Sequence, residues 1–272
     1  MMSRSMRSRT GISDRTCASF GMAKRSTITR FYRASPLARL GAHEIGAIVA
    51  IFVAAALLMI FGALAEEVME GDTHRLDRSI VMSFRTPGNP SDLIGPAWAE
   101  EMIRDVTALG SYAFVIIVVT TAVGYLLLIR QSGLALLLIA AEAGGMLFSS
   151  LLKELFDRPR PDIDHAARVF TASFPSGHAT LSAVTFLTLG ALLTRASADR
   201  ASKIYFMSVA VILTLMVGLS RLYLGVHYPS DILAGWCIGS AWATFCWGVA
   251  LWIQRRGDVG QPHAAQKGQA LN

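Results

Sequence analysis

The sequence contains six long runs that are nearly free of Asp, Glu, Lys and Arg. They cover residues 45–65, 106–129, 131–152, 179–194, 204–220 and 232–254. Only Glu142 interrupts the third run. A helix needs about 20 predominantly apolar residues to cross a bilayer, and the two shorter runs reach that length with polar residues at their ends. The runs predict an all-α fold, a polytopic membrane bundle of six transmembrane helices. They exclude disordered, fibrous and simple soluble classes.

Composition agrees with this prediction. The chain is 53% hydrophobic and 16% charged, whereas a soluble domain has about 25% charged residues. The net charge of +6 does not point to nucleic acid, because no soluble part of the chain offers a coherent basic face. The three cysteines, Cys17, Cys237 and Cys246, fall in the N-terminal tail and the last apolar run. We expect them to be packing residues, with neither a disulfide framework nor a metal site.

The distribution of basic residues predicts the orientation of the bundle. With the N-terminus inside, the inner segments carry sixteen Lys and Arg residues, and the outer segments 66–108, 153–175 and 221–231 carry nine. Basic residues accumulate on the cytoplasmic side of membrane proteins. We therefore predict both termini in the cytoplasm, in the inner membrane of a bacterial cell, with the outer segments in the periplasm.

Three regions follow from this organisation. Residues 1–43 are expected to form a basic, disordered cytoplasmic tail, residues 44–254 the six-helix membrane domain, and residues 255–272 a second cytoplasmic tail. The Arg- and Ser-rich, acid-poor N-terminal region also fits a mitochondrial transit peptide, which is the less favoured interpretation. Met22 is an alternative start, because enough positive charge follows it to orient the first span.

The long outer loop 66–108 contains an amphipathic pattern in its second half. Apolar residues recur there at helical spacing, at Ile94, Trp98, Met102, Val106 and Leu109. The spacing predicts a helix. Two interpretations stay open: the helix packs on the bundle, or it lies in the membrane interface beside an access path for lipid.

Three polar clusters interrupt the second half of the chain at predicted span ends. The first runs from Lys153 to Pro161, the second is Pro175–Ser176–Gly177–His178, and the third joins Ser220–Arg221 with His227 and Asp231. Each cluster alone has an ordinary structural explanation, since cationic side chains at span ends commonly reach the headgroups. The predicted topology, however, puts all three on the same outer side of the membrane, so we expect one shared site.

The residue types of these clusters suit a phosphate. Lys153, Arg160 and Arg221 can surround a dianion with three cations. Ser176 is predicted to cap the following helix, and a helix N-terminus at Gly177 can bind an anion through its backbone N–H groups. Further along the chain, Pro229 suits the first turn of the last helix. Asp231 in that turn is close enough to orient His227, which lies two residues before the helix.

These motifs resemble those of a known family. Lys153 to Pro161 fits K-x6-RP, residues 175–178 fit PSGH, and residues 220–231 fit SR-x5-H-x3-D. In this respect the chain resembles the type 2 phosphatidic acid phosphatases, integral-membrane lipid phosphatases that are related to vanadium haloperoxidases. The motifs span residues 153–231, and the six-span pattern extends the resemblance to about residues 44–254.

The resemblance implies a role for each motif residue. By similarity, His227 attacks phosphorus to form a phosphohistidine, Asp231 orients it, and His178 first protonates the leaving oxygen and then activates water. The phosphate oxygens would be held by Lys153, Arg160, Ser176, Gly177 and Arg221. The expected reaction is hydrolysis of a lipid phosphate or diphosphate without metal or cofactor, on phosphatidic acid, phosphatidylglycerol phosphate, undecaprenyl diphosphate or lipid A.

Several points stay open at this level. A lipid-to-lipid phosphotransferase would use the same site, and a non-catalytic lipid-binding or transport protein is an alternative of another class. Arg158 either touches the head group or forms a surface pair with Asp157, which is the favoured interpretation. Glu142 lies in the middle of a span, where a charge is costly, so we expect it to hydrogen-bond within the bundle. Neither protein partners nor the oligomeric state can be predicted.

Overall fold

The computed structural model describes residues 42–163 and 171–259. Most of the two predicted tails, 1–43 and 255–272, therefore lies outside the described residues, as does Cys17. The described residues form eight helices and one two-stranded hairpin, in the following order. These are α1 Ala42–Glu70, α2 His74–Ser83, β1 Arg85–Thr86, β2 Asn89–Leu93, α3 Ala97–Ala108, α4 Tyr112–Leu128, α5 Ser132–Phe156, α6 Gly177–Ala196, α7 Arg200–Tyr223 and α8 Pro229–Val259.

Five helices, α1, α5, α6, α7 and α8, are long and apolar enough to cross a membrane. A sixth span is formed by α3 and α4 together, with a bend of 47° between them. The predicted all-α membrane bundle is thus confirmed, and it has six spans when the bent pair counts as one. The bend interrupts what the sequence presented as the continuous apolar run 106–129. It occurs at Leu109 and Gly110, before Ser111 accepts a hydrogen bond from the Phe114 N–H and begins α4.

The helix α6 lies at the centre of the bundle. Most of its residues from Gly177 to Phe186 are buried, and it packs against α5, α7 and α8. Glycines on the neighbouring helices allow this close approach. A Cβ added at Gly235 or Gly239 of α8 would lie within 2.7 Å of the backbone oxygens of Ser176 and Thr180, respectively. The outer surfaces of α1, α4, α5 and α7 expose large apolar side chains, as expected for helices that face lipid.

The outer loop between α1 and α4 is more structured than the sequence suggested. The predicted amphipathic helix is present as α3, but α2 and the β1–β2 hairpin were not predicted. Trp98 and Met102 of α3 are exposed, whereas Leu109 packs against the buried cluster around Val217. The helix packs on α7, and Tyr223 of α7 also donates to the Ile94 carbonyl at 2.6 Å. This agrees with the interpretation that the helix packs on the bundle, and the interfacial interpretation stays a prediction.

The carboxyl of Glu142 on α5 is buried in the bundle, and the residue is only 4% exposed. The side chain of Thr185 on α6 is the hydrogen-bonding group that acts on it. Neither the two carboxyl oxygens nor the Thr185 hydroxyl has a partner in ideal hydrogen-bond geometry among the described residues. The hydrogen bond expected within the bundle therefore stays a prediction, with Thr185 as its partner.

Candidate active site

A cavity of about 500 Å³ lies where α5 ends, α6 begins, α7 ends and α8 is about to begin. Six of the eight predicted site residues line it, namely Lys153, Arg160, Gly177, His178, Arg221 and His227. The other two, Ser176 and Asp231, are fully buried. They adjoin the lining residues in sequence or through hydrogen bonds. The structure therefore brings all eight residues together from four separate helices and the segments that join them.

His227 is held in a defined orientation by the first turn of α8. This helix begins at Pro229, as predicted, and places Asp231 in its first turn. Oδ2 of Asp231 lies 3.5 Å from Nδ1 of His227. The same oxygen accepts hydrogen bonds from the Tyr228 N–H at 2.8 Å and from the Ser173 hydroxyl. These donors fix the carboxylate that faces the imidazole.

The opposite ring nitrogen of His227 faces Arg160. Nη1 of Arg160 lies 3.0 Å from Nε2 of His227, and a guanidinium group can only donate hydrogen bonds. Nε2 must therefore be unprotonated in this arrangement, and Nδ1 carries the ring proton toward Asp231. This tautomer directs the lone pair of Nε2 to the side on which Arg160 and the cavity lie.

The surroundings of His227 favour its neutral form. The residue is only 1% exposed. Burial, together with the positive charges of Arg160 and Arg221, lowers the pKa of His227 to about 3, and the Asp231 carboxylate only partly opposes this effect. A neutral imidazole is the form that a nucleophilic histidine requires.

The three predicted phosphate ligands keep their positive charge unneutralised. Nζ of Lys153 donates to the Ala172 carbonyl at 2.7 Å, Arg160 donates to the Thr171 and Val226 carbonyls at 2.8 Å, and Arg221 donates to the Thr107 hydroxyl at 3.2 Å. Among the described residues, none of the three forms an ion pair with a carboxylate. Neutral oxygens orient the cations and leave their charge available to an anion.

The N-terminus of α6 borders the same cavity. Ser176 occupies the N-cap position, but its side chain does not cap the helix, contrary to the prediction. The Ser176 N–H instead donates to the Asp231 carbonyl at 2.9 Å, so contact with α8 fixes the backbone here, while the hydroxyl is buried without a partner among the described residues. Gly177 lines the cavity, and the first backbone N–H groups of a helix have no partner within it, so this helix start suits an anion.

Three residues near His227 differ from the sequence prediction: the contacts of Arg158 were not predicted, and Ser173 and Asp77 were not identified as site residues. Arg158 does not line the cavity, and its contact with a head group stays a prediction. Arg158 forms ion pairs with Asp77 and Asp231, so the favoured pair with Asp157 is wrong. The reason is that Asp157 ends α5 in a left-handed conformation, with φ 39°, and the chain then turns Arg158 inward. Ser173 lies close to the PSGH motif, whereas no sequence signal marked Asp77.

The bend between α3 and α4 lies in close contact with His178. A Cβ at Gly110 would lie 2.5 Å from Val217 Cγ1 and 3.3 Å from His178 Cβ. We expect Gly110→Ala to displace His178 and to lower kcat about tenfold, because a shift of about 1 Å in a catalytic group can cost up to about a hundredfold in rate. Gly124→Ala on α4 is the matched control, since a Cβ there meets nothing within 4 Å. Equal kcat values in the two variants would contradict this prediction.

Comparison with known proteins identifies the same region. Residues 134–255 match the sequence profile of the PAP2 superfamily. The chain is 28% identical over 149 residues to phosphatidylglycerophosphatase B of Bacillus subtilis, which covers 54% of this chain and 73% of that protein. It is 29% identical over 168 residues to lipid A 1-phosphatase of Rhizobium etli, covering 53% and 68%, respectively.

A solved structure has the same fold. The structure resembles the crystal structure of a transmembrane PAP2-type phosphatidylglycerolphosphate phosphatase from Bacillus subtilis, with a TM-score of 0.68 and 25% sequence identity. The match covers 75% of this chain and 98% of the other. Both the bundle and the region that contains the cavity are thus shared with proteins of this kind.

Proposed function

We propose that the chain, which resembles the PAP2-type membrane lipid phosphatases, hydrolyses a phosphomonoester or diphosphate on a membrane lipid through a phosphohistidine at His227. One observation carries the proposal. His227 lines a cavity together with Lys153, Arg160 and Arg221, its Nε2 accepts a hydrogen bond from Arg160, and none of the three cations forms an ion pair with a carboxylate among the described residues.

In the first step, Nε2 of His227 attacks the phosphorus atom. A P–N bond forms while the bond between phosphorus and the lipid oxygen breaks. His178, which takes up a proton when the bound phosphate dianion offsets the charges of Lys153, Arg160 and Arg221, supplies the proton that this oxygen needs. The three cations and the α6 N-terminus hold the other phosphate oxygens, because phosphoryl transfer depends mainly on positioning and charge stabilisation. The proton on Nδ1 stays on the ring, facing Asp231.

In the second step, water attacks the phosphohistidine. His178, now neutral, accepts a proton from the water, a P–O bond forms, and the P–N bond to His227 breaks. Inorganic phosphate leaves, and both histidines return to their starting protonation states. Two easier steps thus replace one difficult step, which is the general advantage of a covalent intermediate.

The relatives suggest which lipids to test first. Phosphatidylglycerol phosphate comes first, because the relative with 73% of its length matched and the solved structure are both named for that activity. Lipid A phosphate follows, then phosphatidic acid and undecaprenyl diphosphate. Phosphate release by the purified protein on each lipid tests the proposal. Release only in the presence of an acceptor lipid would instead identify a phosphotransferase.

We further propose that the protein lies in the inner membrane with both termini in the cytoplasm and the cavity facing the periplasm. The excess of basic residues on the predicted inner segments supports this orientation. A C-terminal green fluorescent protein fusion should fluoresce, and a C-terminal alkaline phosphatase fusion should be inactive. The reverse pair of results would invert the orientation.

The three cations make a metal ion unnecessary in the proposed mechanism. Lys153, Arg160 and Arg221 provide the positive charge that a divalent ion provides in many other phosphoryl-transfer enzymes. We expect phosphate release to be unchanged when EDTA is added in excess over trace metal, and unchanged again when Mg²⁺ is then restored. Activity that disappears in EDTA and returns with Mg²⁺ would contradict the metal-independent mechanism.

A further inference from the structure

A buried ion triad lies behind His227, on the side away from the cavity. Arg158 joins two carboxylates: its Nη1 donates to Oδ1 of Asp231 at 2.6 Å, and its Nη2 donates to Oδ2 of Asp77 at 2.8 Å. The side chains of Asp77, Arg158 and Asp231 are 4%, 10% and 0% exposed. Asp77 belongs to α2, an outer helix that lies outside the region matched by the PAP2 profile.

The triad is also tied to the first turn of α8. Asp77 accepts the N–H of Ser230 at 3.1 Å and the Ser230 hydroxyl at 2.5 Å, and Nη1 of Arg158 donates to the same hydroxyl at 2.7 Å. The Tyr228 ring covers the guanidinium, with 4.5 Å between Cζ and the ring centroid. Arg158 does not line the cavity, so it cannot reach a phosphate there without breaking these contacts.

We propose that Asp77 and Arg158 are positioning residues for the His227 nucleophile. Arg158 holds Oδ1 of Asp231 so that Oδ2 faces Nδ1 of His227, and Asp77 holds Arg158 in place. This inference rests on the proposed function, because it assigns the two residues to the attack by His227. It makes α2 part of the catalytic apparatus, although no motif residue lies on that helix.

Charge explains why the arrangement contains two carboxylates and one guanidinium. The triad has a net charge of −1, and the His227 ring gains positive charge as Nε2 bonds to phosphorus. The opposite charges attract most strongly in a buried, weakly screened site. On the cavity side, the positive charges of Arg160 and Arg221 disfavour a positive charge on the His227 ring. The negative charge of the triad compensates for this repulsion.

Three variants test the proposal: Asp77→Asn, which preserves shape, Arg158→Met, which removes the cation, and Arg158→Lys, which restores a charge. We expect kcat to fall about 10-fold in Asp77→Asn and about 100-fold in Arg158→Met, with KM within twofold of the wild type. Arg158→Lys should recover part of the loss. Glu100→Gln is the control, because Glu100 forms an exposed pair with Arg104 and its loss should change nothing.

The pH profile separates positioning from a merely structural role. Removing the negative charge of Asp77 disfavours a protonated His227, so the acid limb of kcat/KM should move to lower pH. Removing the positive charge of Arg158 favours protonation of His227 and of Asp231, so this limb should move to higher pH. A general loss of folding would lower activity equally at every pH and would not produce opposite shifts.

Binding measurements decide the proposal without turnover. The affinity for inorganic phosphate depends on the three cations. The affinity for orthovanadate also depends on the imidazole, because the vanadium atom can accept a bond from Nε2 of His227. By calorimetry, we expect unchanged phosphate affinity and about tenfold weaker vanadate affinity in Asp77→Asn and Arg158→Met. If the wild type binds vanadate but releases phosphate from no lipid, the proposed function fails, and the vanadate affinities still decide the positioning role.

Two results would overturn the inference. Wild-type kcat, pH profile and vanadate affinity in both Asp77→Asn and Arg158→Met would show that the triad does not act on His227. A raised KM with weaker phosphate binding in Arg158→Met would instead make Arg158 a phosphate ligand. Because Asp77→Asn retains the size and most hydrogen bonds of the residue, it remains informative even if Arg158→Met does not fold.

Discussion

His227→Ala should reduce phosphate release from the lipid substrate by about 10⁴-fold or more. The substitution removes the only protein atom that bonds to phosphorus in the proposed mechanism, and loss of a nucleophile in a covalent mechanism commonly costs about this much or more. The cations and the α6 N-terminus remain, so the variant should still bind inorganic phosphate, with an affinity within a fewfold of the wild type. Initial rates and calorimetry on the purified protein provide the two measurements.

Covalent labelling of the protein is a second measurement that tests His227 as the nucleophile. When the wild type is mixed with lipid carrying ³²P and quenched in base, label should remain on the protein, because a phosphohistidine is stable to base and labile to acid. His227→Ala should retain none. Labelling of the variant equal to that of the wild type would place the covalent bond elsewhere. Activity of the variant within tenfold of the wild type would exclude His227 as the nucleophile.

His178→Ala should produce the second largest effect, and it should depend on the leaving group. General acid–base catalysis contributes about 10²- to 10⁴-fold, so lipid substrates with a poorly leaving alkoxide should lose activity in that range. A p-nitrophenyl phosphate ester needs little protonation to leave, so its first step should be nearly unaffected. The second step still needs a base, and phosphohistidine should therefore accumulate in the variant.

Rapid-quench measurement of p-nitrophenol checks this prediction. A burst close to one equivalent per site, followed by slow turnover, is the expected result for His178→Ala. Equal losses with the lipid and with the nitrophenyl ester would contradict the assignment of His178 as the acid and base. A thermal unfolding midpoint close to that of the wild type serves as the control for folding.

The sequence was sufficient to predict six of the residues that line the cavity, because span length and polarity place their clusters on one side of the bundle. Each apolar run ends at a definite membrane depth, and three runs that begin or end on the same side bring Lys153, His178 and Arg221 to one level. Likewise, Pro229 marks the start of α8, and helical geometry then puts Asp231 next to His227. These are local rules, and the fold does not override them.

The sequence was insufficient to predict side chains whose position depends on tertiary contacts. Asp77 becomes part of the site only because α2 folds against the first turn of α8, and no local pattern specifies that contact. Arg158 was expected at the surface beside Asp157, but the left-handed turn at Asp157 directs it into the protein. The prediction that the Ser176 side chain caps α6 was also wrong. The Ser176 N–H donates to the Asp231 carbonyl of α8, and the hydroxyl has no partner among the described residues.

The contact between Arg160 and Nε2 of His227 affects which esters can react. The guanidinium occupies the lone pair of the nucleophile, so phosphorus can approach only after an anionic oxygen has drawn Arg160 away. A neutral phosphotriester, or a carboxylic ester of the surrounding lipid, has no such oxygen and leaves the imidazole masked. In the proposed mechanism, the group that binds the substrate thus also keeps the His227 imidazole from reacting with the carboxylic esters of the surrounding lipid.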